Sequence, residues 1–293
     1  MDQRNVVGVL TARMGSTRLP GKVLKKVGEK SVFAYHIERL RKVQGLSTIY
    51  LATSKDKRNK PLIQESEELG VQYYQGSEED LLERHISILE KLGAQAALRV
   101  TCDMPLFSID SAEECVEIFR KEYYDYIYVS NMTMVQGTMP EVISLKAMRE
   151  IHSNYKGPAI TQPIKESIND FKTLGINVAG DLCRPEYRLT LDYPQDLEVI
   201  SKIYENLYQG QPISLYDVYK FLDDNPRIAK INENLVVKGC NRYGDSLLAA
   251  PEYSIMRSGQ RYLILNQNKA EVSFEEFISK IKVMFPQAKN INI

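Results

Sequence analysis

The sequence predicts an α/β fold with a mostly parallel sheet, plus a small α+β appendage at the C-terminal end. Two observations carry this. Short apolar runs alternate with amphipathic helical segments from the first residues to about position 210, and repeated β-α-β units of that kind make parallel sheets with helices on both faces. Beyond about residue 232 the rhythm changes to two short strands around a turn and one helix. The expected organisation is therefore a domain over 1–231 and a hairpin-helix module over 232–293.

The elements follow in order. Val6-Val-Gly-Val-Leu10 is a continuous apolar run of strand length, as a fully buried strand requires. Val32 to Val43 has helical spacing, with Phe33, Ile37 and Leu40 on one face. Thr48–Thr53 reads as a strand and Leu62–Leu69 as a helix stopped by Gly70. Val71–Gln75 is a short strand, Glu78–Leu92 a helix closed by Gly93, and Ala96–Val100 the next strand. Ile109–Arg120 is helical and Tyr126–Val129 extended, its alternating tyrosines suited to packing a sheet face. From Met132 to Gly180 the pattern is irregular, broken by Gly137, Pro140, Gly157, Pro158 and Pro163. Arg188–Leu191 reads as a late strand, with helices at Pro194–Leu207 and Leu215–Leu222. In the appendage, Tyr253–Met256 and Arg261–Leu265 flank the turn Arg257-Ser-Gly-Gln260. Ser273-Phe-Glu-Glu276 is a capping box before a helix carrying Phe277, Ile278, Ile281 and Met284.

Composition excludes several classes. With 293 residues and 43% apolar content the chain can bury a large core, and 38 basic residues balance 38 acidic ones. A neutral chain is not built to coat nucleic acid or an anionic membrane. No basic-then-apolar leader is evident, and no apolar run reaches the ~18–20 residues that cross a bilayer. The four cysteines, Cys102, Cys115, Cys183 and Cys240, form no CxxC pair and have no histidine at ligand spacing, which suits reduced, mostly buried thiols. The expectation is a cytoplasmic protein.

The chemistry concentrates in the loop after the first strand, Leu10-Thr-Ala-Arg-Met-Gly-Ser-Thr-Arg-Leu-Pro-Gly-Lys22. Arg13, Arg18 and Lys22 supply three cations, and Gly15-Ser16 offers backbone N–H groups and a hydroxyl. Glycines let backbone approach phosphate, arginine binds phosphate oxygens bidentately, and the strand's C-terminal edge is where open α/β sheets bind ligands. The loop is neither a Walker A motif nor GxGxxG, so it points to a nucleoside triphosphate held in another way. Asp103 and Asp192 each follow a predicted strand, where a carboxylate reaches the same edge. Mg²⁺ is commonly held by one or two carboxylates with substrate phosphates.

Leu10–Leu24, "LTARMGSTRLPGKVL", resembles the signature of the nucleotidyltransferases that make CMP-activated sugar acids, the CMP-Kdo and acylneuraminate cytidylyltransferases, and especially their spore coat polysaccharide biosynthesis branch. The resemblance continues through Gly76–Arg84, Arg99–Leu106, Val129–Asn131 and Arg188–Glu198, covering about residues 5–210. It implies a Rossmann-like nucleotidyltransferase (nucleotide-diphospho-sugar transferase) fold. It also implies CTP and a small sugar-acid-like acceptor as substrates, with Mg²⁺ on Asp103 and Asp192. Leu10, Ala12, Ser77, Arg99 and Thr101 are implied around base and ribose, Arg99 having a surface ion pair as its alternative. Family members are often dimers, which implies a homodimer here. The family's "TGDCPL" reads Thr101-Cys-Asp-Met-Pro-Leu106, where Cys102 either crowds the nucleotide or points into the core. Its "REHVTPYI" reads Lys156-Gly-Pro-Ala-Ile-Thr-Gln-Pro163, without the Glu and His. Two other classes stay open: a nucleotide-sugar-dependent glycosyltransferase, for which Cys102-Asp-Met104 lacks a DxD pair, and a non-catalytic nucleotide-binding protein. His85, His36 and His152 read as structural or surface histidines.

Overall fold

The computed structural model describes residues 4–129, 134–154, 160–161, 163–164, 170–176, 178, 182, 184 and 186–235, and the backbone of 253–258, 261–266 and 271–272. The chain divides into two compact units, Met1–Asn234 and Leu235–Ile293. No described helix is long and apolar enough to cross a membrane.

A seven-stranded sheet organises the first unit. Its strands are β1 (Val6–Thr11), β4 (Leu46–Ser54), β5 (Gln72–Gly76), β6 (Ala96–Thr101), β7 (Tyr126–Val129), β8 (Glu141–Ser144) and β9 (Thr173–Ile176), in the order β5-β4-β1-β6-β8-β7-β9. A two-residue pair, β2 (Lys26–Val27) and β3 (Lys30–Ser31), stands apart. β1 pairs in parallel with both β4 and β6, so the chain reverses its direction of winding there. That reversal opens a crevice at the strands' C-terminal ends. Only β8 runs against its neighbours, β6 and β7.

Side chains alternate across β1 as strand geometry requires. Val6 and Leu10 enter one core with Leu51, Leu98, Val100 and Val142; Val7 and Val9 enter the other with Tyr50, Ala52, Ala97 and Ile143. The first core is covered by α1 (Val32–Leu40), α4 (Ile109–Lys121), α6 (Pro194–Leu207) and α7 (Leu215–Asp224), the second by α3 (Leu81–Leu92) and α5 (Leu145–Asn154). α2 (Lys60–Glu68) and the short α8 (Pro226–Ala229) complete the helices among the described residues. Local sequence sets their starts: the Ser31, Asp80, Ser108 and Ser214 side chains accept from the backbone N–H three residues on.

Two expectations are corrected. The helix expected from Glu78 begins at Leu81, because the Asp80 side chain caps it and Ser77 accepts from the N–H groups of Glu79 and Asp80. Arg188–Leu191 is not a strand. It meets the rest through a single bridge, Arg188 with Gln136, and then crosses the end of β6, where Leu191 N–H donates to Asp103 O at 2.8 Å. Within the stretch read as irregular, β8 and α5 are regular elements, α5 burying Ala147, Met148 and Ile151 on one face.

The second unit shows β10 (Tyr253–Ser258), β11 (Arg261–Asn266) and β12 (Glu271–Val272) in one antiparallel sheet. The helix expected after Ser273 lies outside the described residues.

Candidate active site

The loop leaving β1 is folded back on itself. Met14 O accepts from Ser16 N–H and Gly21 N–H at 2.9 and 3.2 Å, Ser16 Oγ accepts from Leu19 N–H, and Leu19 is buried. Its anchor is Asn59, 1% exposed, whose Oδ1 accepts from Met14 N–H at 2.8 Å while its Nδ2 donates to Ser54 O and Oγ. Gly21, at φ 65°, adopts the left-handed turn that aims the next residue inward. That residue is Lys22.

Lys22 is almost wholly buried. Its Nζ donates to Leu191 O at 2.7 Å and to Asp192 Oδ1 at 2.9 Å, 170 residues away in the chain. Arg18 reaches the same oxygen at 2.9 Å from the solvent side, its guanidinium 5.4 Å from the centre of the Tyr193 ring. Burial alone would lower the Lys22 pKa, but the charges of Asp103 and Asp192 outweigh it and hold the ammonium above its ordinary value. Burial likewise works against an ionised Asp103; the Lys22 charge and a hydrogen bond from Thr101 Oγ1 hold its carboxyl below the ordinary value.

Asp192 is positioned by its neighbours. The fully buried Asp196 carboxylate accepts from Asp192 N–H and Tyr193 N–H, both at 2.9 Å, and from the Arg188 guanidinium at 2.7 and 2.9 Å. Thr190 Oγ1 donates to Asp103 O at 3.2 Å, tying the two aspartate-bearing segments together. Gly137, at φ 92°, lets Thr190 approach so closely that an added Cβ would lie 2.3 Å from Thr190 N.

The structure thus brings Arg18, Lys22, Thr101, Asp103 and Asp192 to one place. Arg13 turns instead to Glu78 in the loop after β5, with half of its side chain exposed. Gly15 packs under the Arg58 guanidinium. Leu10 and Ala12 are buried in the core, so only their backbone can face a ligand. Arg99 pairs with the Glu141 carboxylate, which also accepts from Tyr126 Oη at 2.6 Å. Cys102 is buried in the core, where desolvation pushes its thiol up to about 11. His85 is buried beside the loop, its Nε2 3.2 Å from Thr11 Oγ1, and His36 is buried against Phe107; His152 bonds Asp80. Cys183, Cys240 and most of Lys156–Pro163 lie outside the described residues.

Sequence reasoning missed three supports. Asn59 gives no signal, since an Asn before Lys-Pro reads as an ordinary cap. Arg84 is 1% exposed and donates to Ser77 O and Glu78 O at 2.6 and 2.8 Å, stapling the loop that receives Arg13. It and Asp196 both fall inside stretches that carry the resemblance, which was the available signal.

Among the described residues no three His, Cys, Asp or Glu side chains converge as a metal cage. Two carboxylates beside cations for phosphate are the donor set that a divalent cation shares with a nucleotide. A mostly parallel sheet whose winding reverses at such a crevice, lined by a cationic loop, by Asp103 beyond β6 and by Asp192 on the segment that crosses it, is the arrangement of a nucleotide-binding α/β protein. The family model "Cytidylyltransferase" matches residues 7–219, and the chain belongs to that family. It is 25% identical over 245 residues to the spore coat polysaccharide biosynthesis protein SpsF of Bacillus subtilis, covering 78% of this chain and 98% of that protein. It is 23% identical over 223 residues to the 3-deoxy-manno-octulosonate cytidylyltransferase 2 of Hydrogenovibrio crunogenus, covering 67% and 90%. A cytidylyltransferase structure from Leptospira borgpetersenii shares the fold, with a TM-score of 0.72, 22% identity, and 80% and 99% of the two chains covered.

Proposed function

We propose that this enzyme transfers CMP from CTP to a sugar acid or closely related glycan precursor, releases pyrophosphate, and depends on Mg²⁺. The observation that carries the reading is the meeting of Arg18 and Lys22 with Asp192, beside Asp103, at the β1–β6 crevice. The names of the relatives support a sugar-acid acceptor and a role in surface or spore-coat polysaccharide synthesis.

The acceptor oxygen attacks the α-phosphorus of CTP; the new P–O bond forms as the bond to the β-phosphate's bridging oxygen breaks, and pyrophosphate leaves. Such a transfer needs mainly positioning and neutralisation of charge. Lys22 and Arg18, both on one Asp192 oxygen before substrate arrives, move their hydrogen bonds to the β- and γ-phosphates, and Arg13 exchanges Glu78 for the same polyanion. Asp103 and Asp192 would hold Mg²⁺, which supplies Lewis-acid charge neutralisation at the phosphates. Gly15 and Ser16 add loop N–H groups, and Ser77, Arg99 and Thr101 border base and ribose. The enzyme acts in the cytoplasm as a homodimer, with Leu235–Ile293 as a separate module.

The test is pyrophosphate release from CTP, UTP, ATP, GTP and dTTP with Mg²⁺ over a panel of sugar acids, beside thermal shifts with each triphosphate. Stabilisation by CTP that requires Mg²⁺, and turnover with a sugar acid, are expected; binding raises stability as RT ln(1 + [L]/Kd). No shift with any triphosphate refutes the reading, and a shift with UTP or dTTP instead moves the base.

A further inference from the structure

We propose that Asn232 is a positioning residue for the Asp192 carboxylate, so that the chain beyond the family's matched region forms part of the catalytic apparatus. This rests on the reading of Asp192 given above. Asn232 is 2% exposed, and both hydrogens of its amide are used: Nδ2 donates to Asp196 Oδ1 at 2.9 Å and to Arg188 O at 3.1 Å. It lies thirteen residues past Tyr219, where the family match ends, and two residues before the first unit ends at Asn234.

The chain of support is short. Asp196 Oδ2 accepts from the Asp192 and Tyr193 N–H groups and from Arg188 Nη2, while Oδ1 accepts from Arg188 Nε and from Asn232. Five donors saturate a buried carboxylate and fix its rotation. Without Asn232, Oδ1 keeps one donor while Oδ2 keeps three, and the carboxylate is free to turn toward its Oδ2 partners. The acceptor of the Asp192 N–H is then held less firmly, and the Arg188 carbonyl, four residues upstream, loses its tether. Both changes act on the backbone that carries Asp192 into the site. Partners that orient a metal-binding residue from behind govern affinity for the ion.

Mn²⁺ is the probe, with the full chain throughout. Free Mn²⁺ is followed by electron paramagnetic resonance while it is titrated into enzyme saturated with CTP, and CTP binding without metal is measured separately by calorimetry. Asn232→Ala is expected to weaken Mn²⁺ binding about tenfold and to leave metal-free CTP binding unchanged. Asn225→Ala is the control: Asn225 lies on the same segment and bonds Phe221 O at 2.9 Å, so it costs stability without touching Asp196, and Mn²⁺ binding is expected to hold. If the alanine variant at 232 fails to fold, Asn232→Leu keeps the volume, loses the donor and carries the same expectation. Wild-type Mn²⁺ affinity in the 232 variants, or equal weakening in the control, overturns the inference while the reading of the site stands. Wild-type enzyme that takes up no Mn²⁺ with CTP overturns the reading of the site, and this inference with it.

Discussion

Lys22→Ala removes a buried ammonium that sits between two carboxylates. The residue is 8% exposed, its Nζ donates to Leu191 O and Asp192 Oδ1, and Asp103 is its strongest favourable charge. Breaking a buried ion pair from one side costs about 3–5 kcal/mol, because the remaining charge stays desolvated. Arg18 still pairs with Asp192 at 2.9 Å, which puts the expected loss at the low end, about 3 kcal/mol. In a domain of this size each kcal/mol moves the melting temperature by about 2–4 °C, so a fall of about 6–12 °C is expected in scanning calorimetry. Turnover, read as pyrophosphate release at saturating CTP, should drop about 10²–10³-fold, as when one preorganised donor to the developing charge is lost. The pH dependence has a sign. The Lys22 pKa is raised by folding, so its contribution is complete below the ordinary lysine value and is lost only as pH rises through the folded one. A variant with wild-type melting temperature and wild-type turnover would refute both the buried pairing and the catalytic use of Lys22.

Three further outcomes are expected. His36 and His85 are both buried, and desolvation lowers each to about 4; the unfolded chain therefore takes up protons that the folded one refuses, and stability should fall by about 2 kcal/mol per histidine between pH 7 and pH 5. Urea midpoints at the two pH values check this, and a pH slope that is the same in His36→Gln and His85→Gln as in wild type would contradict it. Asp196→Ala leaves the Arg188 guanidinium buried without its bidentate partner, at a cost of about 3–5 kcal/mol in denaturant unfolding. Gly137→Ala combines a left-handed backbone with a Cβ 2.3 Å from Thr190 N, so it should cost more than about 2 kcal/mol and lower turnover by pushing the Thr190–Asp192 segment; normal stability would show that the segment can yield.

The local features of the site were legible because each is written in a short stretch. An apolar run followed by Arg, Gly, Ser, Arg, Gly and Lys declares a buried strand and an anion-binding loop. A carboxylate just beyond a strand stands at the binding edge, as Asp103 does after β6. The helix start expected at Glu78 failed because the Asp80 side chain caps the helix two residues later. The stretch Arg188–Leu191 looked like a strand because it is apolar and alternating, but its neighbours offer one bridge and two loop contacts rather than a ladder.

The sequence by itself thus determined the α/β alternation, the cationic loop and the two aspartates, since periodicity and residue type act within a few positions. Only the tertiary structure decided how those charges are shared. Lys22 and Arg18 meet on Asp192, Arg13 goes to Glu78, Arg99 goes to Glu141, and β8 enters the sheet against its neighbours. These choices depend on which groups burial brings within about 3 Å of each other, where hydrogen bonds form. Contacts between residues as distant as Lys22 and Asp192, or Asn59 and Met14, are fixed by the winding of the whole sheet, and no local pattern records them.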